Sequence, residues 1–291
     1  MAELLFSLIT YSALPDLDPD DQLVKAALER RGARVQALVW DNESIDWSKA
    51  GVCVLRSTWD YHLKYDKFCA WVKRTAQLTR LYNPADLVLW NSRKTYLNEM
   101  IQAGLPVIPT SFLTDDSDST LSDLLQERGW SKAVIKPTVG LATSGVKCVE
   151  NNPESLKEGQ EHLNQLLKNG VVMVQEYLDA VEGYGERSLS FIDGKFSHCV
   201  RKTAFQKLAV AGGAGETPQE VSEDELAQAH KILSFLKEKP LYARVDLVRN
   251  SKNQPLLMEL ELLEPSLFLQ TKPSAAELFA DALLGRVACH S

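Results

Sequence analysis

The segment 242–266, YARVDLVRNSKNQPLLMELELLEPS, constrains the fold more than any other stretch of the chain. Two apolar-rich runs, Ala243–Arg249 and Pro255–Glu261, flank a polar connector, which predicts a β-hairpin. Side chains alternate between the two faces of a strand. Arg244 and Asp246 therefore share one face, Glu259 and Glu261 share a face of the partner strand, and Val245, Leu247, Leu260 and Leu262 form an apolar side. Packing that apolar side gathers the carboxylates, which repel one another unless a cation compensates. Hard oxygen donors of this kind suit Mg²⁺. Taken alone, the alternation fits a plain solvent-facing side better, because amphipathic hairpins are common.

The rest of the chain supplies the context. A length of 291 residues suits two lobes or one large α/β unit. The first ~90 residues alternate strands at Leu4–Thr10, Val35–Val39 and Val52–Arg56 with helices at Asp20–Arg31, stopped by Gly32, and Tyr65–Gln77. That rhythm predicts a parallel sheet. After a break at Tyr82–Trp90 comes a helix, Ser92–Ala103, ended by Gly104 and Pro106. Strands Pro106–Phe112, Ala133–Pro137 and Val171–Tyr177 are interleaved with helices Leu121–Arg128 and Asn152–Lys168 and with a small-residue loop, Gly140–Gly145. Asp193–Gly194 joins Glu186–Ile192 to Lys195–Lys202 as a hairpin. Ser222 and Glu225 form a capping box at the start of a helix reaching Lys237, and Ser274–Leu284 is the last helix.

Several residues in this frame carry chemistry. Lys136 closes the apolar strand AVIKP, a place where an ammonium needs a partner or a route to solvent. The loop that follows, PTVGLATSGV, offers backbone N–H groups and hydroxyls, Ser144 among them, to phosphates. Neither GxxxxGK[ST] nor GxGxxG occurs. VVMVQEYLD ends an apolar strand in a segment able to read a purine edge. Each piece is weak by itself.

Their order is specific. Lys94, VIKP with its glycine loop, VQEYL, GERSLSFIDGKFSHCVRK, ARVDL and MELEL-x-x-P together resemble the ATP-grasp superfamily over about residues 90–270, closest to its glutathione-synthetase-like and RimK-like branch. TYSALPDLDPDD and LRSTWDYH further resemble bacterial ATP-grasp ligases of the D-cycloserine ligase group. The resemblance implies an α/β (α+β) ATP-grasp fold: a Rossmann-like pre-ATP-grasp lobe at 1–90, a lid subdomain at 91–175 and a C-terminal subdomain at 176–291. It places Lys94 and Lys136 on ATP phosphates, Gln175, Glu176, Tyr177 and Leu178 at the adenine hinge, and Glu186 and Lys202 on the phosphate and metal side. Arg244 would steady an acyl phosphate, and Asp246, Glu259 and Glu261 would bind one or two Mg²⁺ ions, with Mn²⁺ as an alternative. Two features depart from the pattern: Glu261 stands where relatives carry Asn, and Gly140–Gly145 is short and poor in glycine.

The implied activity joins a small-molecule carboxylate to an amine at the expense of ATP, within one molecule or between two. No protein nucleophile is needed, and no G-x-S-x-G or Cys/His motif is found. An ATP-grasp kinase and a non-catalytic nucleotide-binding module are the alternatives. Specificity is expected from the first lobe: Arg56 at a strand's carboxyl end for a carboxylate, Asp60 for an amine and Tyr61 as a wall, with an Arg56–Asp60 surface pair as the plainer reading. The loop Val210–Pro218 is expected to border the acceptor, whereas His198 and His230 are expected to be structural. A net charge of −7 without a basic run argues against a nucleic-acid partner. Five scattered cysteines without zinc spacing, an N-terminus that reads as a first strand, and no apolar run near the ~20 residues of a membrane span point to a cytoplasmic protein. The family likeness implies a homodimer.

Overall fold

The computed structural model describes residues 4–117, 119–140, 144–203 and 215–289. Its first lobe is a parallel sheet in the order β2-β1-β3-β4, built from β1 (Leu5–Thr10), β2 (Arg34–Val39), β3 (Val52–Ser57) and β4 (Leu81–Tyr82). Helices α1 (Pro19–Glu29) and α2 (Tyr65–Leu78) cover it. β3 is buried along its whole length, as a strand with both faces covered must be. Gly51 lets β3 run beside β1: its φ is +71°, and a Cβ there would lie 2.4 Å from the Leu5 carbonyl oxygen.

The next stretch differs from expectation. The segment read as a break contains a helix, α3 (Ala85–Asn91), with Pro84 as its N-cap, and the following helix begins only at α4 (Tyr96–Gln102). Lys94 therefore lies in the turn between two helices. Tertiary bonds override local helix preference here. The Lys94 N–H donates to the Thr138 carbonyl at 2.8 Å, and the Asn91 side chain is engaged by a distant strand.

A second sheet, antiparallel in the order β5-β8-β6-β7, consists of β5 (Thr110–Leu113), β6 (Lys132–Pro137), β7 (Lys147–Glu150) and β8 (Val172–Glu176). Helices α5 (Leu121–Arg128) and α6 (Pro153–Leu167) pack on one face, where Ala133, Ile135 and Val174 join their core. The alternation of β6 then turns Val134 and Lys136 to the opposite face. β8 crosses the subdomain boundary expected at 175/176.

The third sheet, also antiparallel, runs β11-β10-β9-β12-β13, with β9 (Glu186–Ile192), β10 (Lys195–Lys202), β11 (Glu216–Gln219), β12 (Tyr242–Arg249) and β13 (Pro255–Glu261). Both expected hairpins form. The capping box opens α7 (Glu223–Leu233) as read. The last helix, α8 (Ser274–Ala288), is longer than its sequence pattern and turns back onto the first lobe. Phe279 and Leu283 share a core with Phe6, Val24 and Leu28, and Arg31 reaches Asp281 at 2.6 Å.

Candidate active site

The lid sheet and the C-terminal sheet enclose a cavity of about 400 Å³. Lys94, Lys136, Gly140, Ser144, Gln175, Glu176 and Tyr177 line its lid side. Glu186, Lys202, Arg244, Glu259 and Glu261 line the opposite side, and Tyr61 enters from the first lobe. Ile108, Val134 and Met258 add apolar wall, as a flat base requires.

The hairpin register creates the charged side. Arg244 pairs with Glu261 and Asp246 with Glu259, and a bulge after Asp246 resets the ladder. β13 is the edge strand, and side chains finish its ladder. The Tyr96 hydroxyl both donates to the Leu260 carbonyl and accepts its N–H, each at 2.8 Å. Asn91 donates to Leu260 O and accepts from Leu262 N, and Asn83 donates to Leu262 O at 2.7 Å. These caps fix the backbone that carries Glu259 and Glu261 and leave no open edge to pair with another chain. Gly185, at φ +83°, admits the close approach of Arg201 beside Glu186, where a Cβ would sit 2.7 Å from Arg201 Nε.

Every carboxylate of the expected metal set has a cation. Glu259 takes Lys94 at 2.7 Å, Asp246 takes Lys202 at 3.0 Å and Arg244 at 2.9 Å, Glu261 takes Arg244, and Glu186 takes Lys202. Lys94 also donates to Gly140 O at 3.1 Å, tying this side to the lid loop. The Lys136 ammonium makes no ion pair or hydrogen bond among the described residues; burial lowers its pKa against the pull of Glu259. Burial opposes charge on Asp246 and Glu259, but Arg244 and Lys202 hold the first, and Lys94 and Lys136 the second, below the ordinary value. Burial wins at Glu261, raised to about 7 despite Arg244. Phe268, whose ring lies 5.4 Å from the Arg244 guanidinium, holds φ at +55°, a strained value for a bulky residue.

Among the described residues, no three carboxylate, His or Cys side chains converge tightly enough to hold a metal ion. Asp246 is buried and meets the cavity through Arg244 and Lys202. The donor chemistry still fits a hard cation: Asp246 and Glu259 sit at facing register positions with Glu261 two residues further along β13, and phosphate oxygens are natural replacements for carboxylates on the lysines.

The first-lobe candidates separate. Tyr61 lines the cavity, but Arg56 and Asp60 do not. Arg56 is 2% exposed, bonds Asp21 at 2.7 Å and lies over the rings of Tyr242 and Phe279, so it forms neither the cavity grip nor the expected pair with Asp60. Asp60 instead accepts from Trp40 at 2.7 Å and Lys64 at 2.9 Å. A strand's carboxyl end locates ligands only where the edge is open; here α8 and the segment after β13 close it. Leu178 follows the hinge without lining the cavity. His198 is buried, bonded to the Leu267 carbonyl and held below its usual pKa by burial, and His230 packs against Phe191. Of the loop 210–218, residues 210–214 lie outside the described residues and 216–218 belong to β11. Sequence reasoning missed Asn91, Tyr96, Met258 and Glu264. Only Glu264 left a local signal, an acid between apolar Leu262–Leu263 and Pro265.

A lysine-bearing lid sheet over an arginine- and carboxylate-bearing hairpin, with a nucleotide-sized cavity between them, is the ATP-grasp arrangement. The chain belongs to that family and is an ATP-grasp ligase: residues 98–268 match the prokaryotic glutathione synthetase ATP-grasp domain. Residues 6–83 match the N-terminal domain of D-cycloserine synthetase DcsG. The chain is 32% identical to the cycloserine biosynthesis protein DcsG of Streptomyces lavendulae, over 97% of this chain and 99% of that protein. A crystal structure of D-cycloserine synthetase DcsG superposes with a TM-score of 0.87 at 29% identity, covering 97% of this chain and 99% of that one. A RimK-domain ATP-grasp protein of Sphaerobacter thermophilus shares the fold at a TM-score of 0.70 and 17% identity, covering 95% of this chain and 98% of that one. ATP-grasp ligases use ATP and a divalent metal. No helix among the described residues is long and apolar enough to cross a membrane.

Proposed function

We propose that this chain is an ATP- and Mg²⁺-dependent ligase that activates the carboxylate of a small amino-acid-like substrate as an acyl phosphate and joins it to an amine. The observation that carries this reading is the alternation of cations and carboxylates on the cavity face of β12–β13 and the lid. Lys94, Lys136 and Lys202 neutralise the transferring phosphate, and Arg244 holds the developing acyl phosphate oxygens. Asp246, Glu259 and Glu261 would hold Mg²⁺, or Mn²⁺ in its place, once their lysines and arginine turned to phosphate oxygens, and the ion would spread the phosphate charge. Gln175, Glu176 and Tyr177 receive adenine, chiefly through backbone groups, with Leu178 behind them closing the hinge, and Ser144 reaches phosphate from the lid loop.

Similarity to the D-cycloserine synthetase spans the first lobe as well as the ATP-grasp domain, so ring closure within one amino-acid derivative is the first reaction to try. We place the protein in the cytoplasm and expect a homodimer, which light scattering checks. The test is a coupled screen over amino acids, dipeptides and cycloserine precursors with ATP. The ligase reading expects ADP and free phosphate only when carboxylate and amine are both supplied, on one molecule or two. A stable phosphorylated product without free phosphate would make the protein a kinase; saturable ATP binding without turnover would make it a binding module.

A further inference from the structure

Glu264 stands apart from the other carboxylates of the cavity. Glu186, Glu259 and Glu261 each face a lysine or arginine. Glu176 sits half-buried at the hinge, and Glu216 is exposed on β11. Glu264 is 7% exposed and lines the cavity, yet among the described residues its carboxylate makes no ion pair and no hydrogen bond to another residue. Its own backbone N–H donates to it, but among the described residues it lacks the paired cation that burial of a charged acid ordinarily demands.

Its position is held firmly. The Trp59 indole N–H donates to the Glu264 carbonyl at 3.1 Å, Arg56 donates to Pro265 O at 3.2 Å, and the Tyr242 hydroxyl donates to Leu263 O at 2.9 Å. Three consecutive carbonyls are thus pinned, two of them by first-lobe side chains. Glu264 lines the same cavity as Tyr61 and is the carboxylate that acts most strongly on the Tyr61 hydroxyl, which places it on the first-lobe side. A group so fixed and so poorly compensated is arranged for something that arrives with the substrate.

The chemistry of the surroundings selects what arrives. Phosphates and acyl oxygens are drawn to Lys94, Lys136, Lys202 and Arg244. Glu264 lies in the field of Glu261, Lys94 and Glu259, and the two carboxylates outweigh the lysine in repelling anions. With adenine assigned to the hinge and Mg²⁺ to the β12–β13 carboxylates, the attacking amine is the remaining group of the ligase reaction that brings N–H donors or positive charge. Resting on the ligase reading, we propose that Glu264 is the residue that binds the attacking amino group and takes its proton. As the amine nitrogen bonds to the acyl carbon, the bond from that carbon to the phosphate oxygen breaks and an N–H proton passes to the Glu264 carboxylate. The departing phosphate then collects that proton, leaving as hydrogen phosphate and restoring Glu264. Burial, reinforced by Glu261 and opposed by Lys94, raises the Glu264 pKa to about 8 in the free protein; a cationic amine bound beside it favours the carboxylate, the form that accepts the proton.

The test has two arms. In the first, protein labelled with [5-¹³C]glutamate is studied by NMR with AMP-PNP and Mg²⁺, the Glu264 signal being the one absent from Glu264→Gln. Saturable displacement of that signal by n-propylammonium is expected; an unmoved signal overturns the proposal. In the second, acyl phosphate formation is read by positional isotope scrambling in [¹⁸O]ATP, and amide formation by product analysis. Glu264→Gln should lower amide formation at least ~10²-fold, the usual size of a lost general base, while scrambling falls far less, and Glu264→Asp should recover part of the loss. Equal loss of both steps would assign Glu264 to the nucleotide and metal side, and loss of neither would remove its role; either result overturns the proposal. Absence of scrambling in the wild type with every carboxylate tried would sink the ligase reading instead, and the NMR titration would still decide for Glu264.

Discussion

Arg244 and Arg56 are both buried, both bond an aspartate, and both lie near aromatic rings. Their surroundings separate them. Arg244 belongs to a chain of charges, Lys202–Asp246–Arg244–Glu261, that borders a cavity with room for phosphates. Arg56 has Asp21 on one side, the Pro265 carbonyl on another and aromatic rings above, outside the lining of that cavity. One arginine is exchangeable, since Asp246 also has Lys202 and incoming oxygens can take the place of its carboxylates. The other is a joint that fastens the first lobe to the segment after β13. Burial and pairing do not mark an active site; surplus charge beside open space does.

The largest effect tests the joint. Arg56→Ala leaves Asp21 buried without its cation and should lower stability by about 3–5 kcal/mol, the range for breaking a buried pair from one side, as read by urea denaturation. Arg244→Ala should be milder on folding, because Asp246 keeps Lys202, and should lower phosphate release at least ~10²-fold. If Arg56→Ala folded normally and lost activity while Arg244→Ala unfolded, the contrast would be inverted. Glu259→Ala should match Arg244→Ala in rate, since it removes both a carboxylate and the partner of Lys94. Full activity in that variant would refute the metal assignment.

A smaller effect belongs to the scaffold between the two arginines. Asn91→Ala strips hydrogen bonds from Leu260 O and Leu262 N. The loss should be about 1–3 kcal/mol, the cost of leaving such groups unsatisfied, and should weaken Mg²⁺-dependent ATP binding by calorimetry; unchanged metal dependence would show that β13 needs no outer support.

The last effect is a pH slope. The Glu264 carboxyl, raised by burial to about 8 from an ordinary 4.5, holds a proton in the folded protein that the unfolded chain has released. Its contribution to stability is therefore complete below about pH 4.5 and lost as pH rises through about 8. Glu264→Gln should raise the Tm of the nucleotide-free protein increasingly between those limits. Glu261, raised to about 7, contributes in the same direction and leaves a residual slope. Equal Tm gains at pH 4 and pH 8.5 would contradict a buried, protonated Glu264.

The sequence made the charged face legible because a strand's period of two is rigid: once Val245, Leu247 and Leu260 are inside, Arg244, Asp246, Glu259 and Glu261 must share the other side. Lys136 was legible for the same reason. Lys94 was placed in a helix because its neighbours favour one, and a tertiary bond to Thr138 broke that helix. Arg56 misled because strand order locates a sheet's carboxyl edge but not what covers it, and α8, from the far end of the chain, does so. Asn91 and Tyr96 were invisible since they act on a backbone over 160 residues away. The gathering of three carboxylates also came out differently: the pattern brought them to one face, and nearby cations then drew each to itself.

The most direct measurement follows the oxygen. With a turnover substrate from the screen labelled with ¹⁸O in its carboxylate, activation through an acyl phosphate moves one label into the released phosphate. Mass spectrometry of that phosphate should show one ¹⁸O per turnover. Unlabelled phosphate, formed alongside the amide, would mean that the carboxylate is never phosphorylated and would contradict the role assigned to the Arg244 side of the cavity.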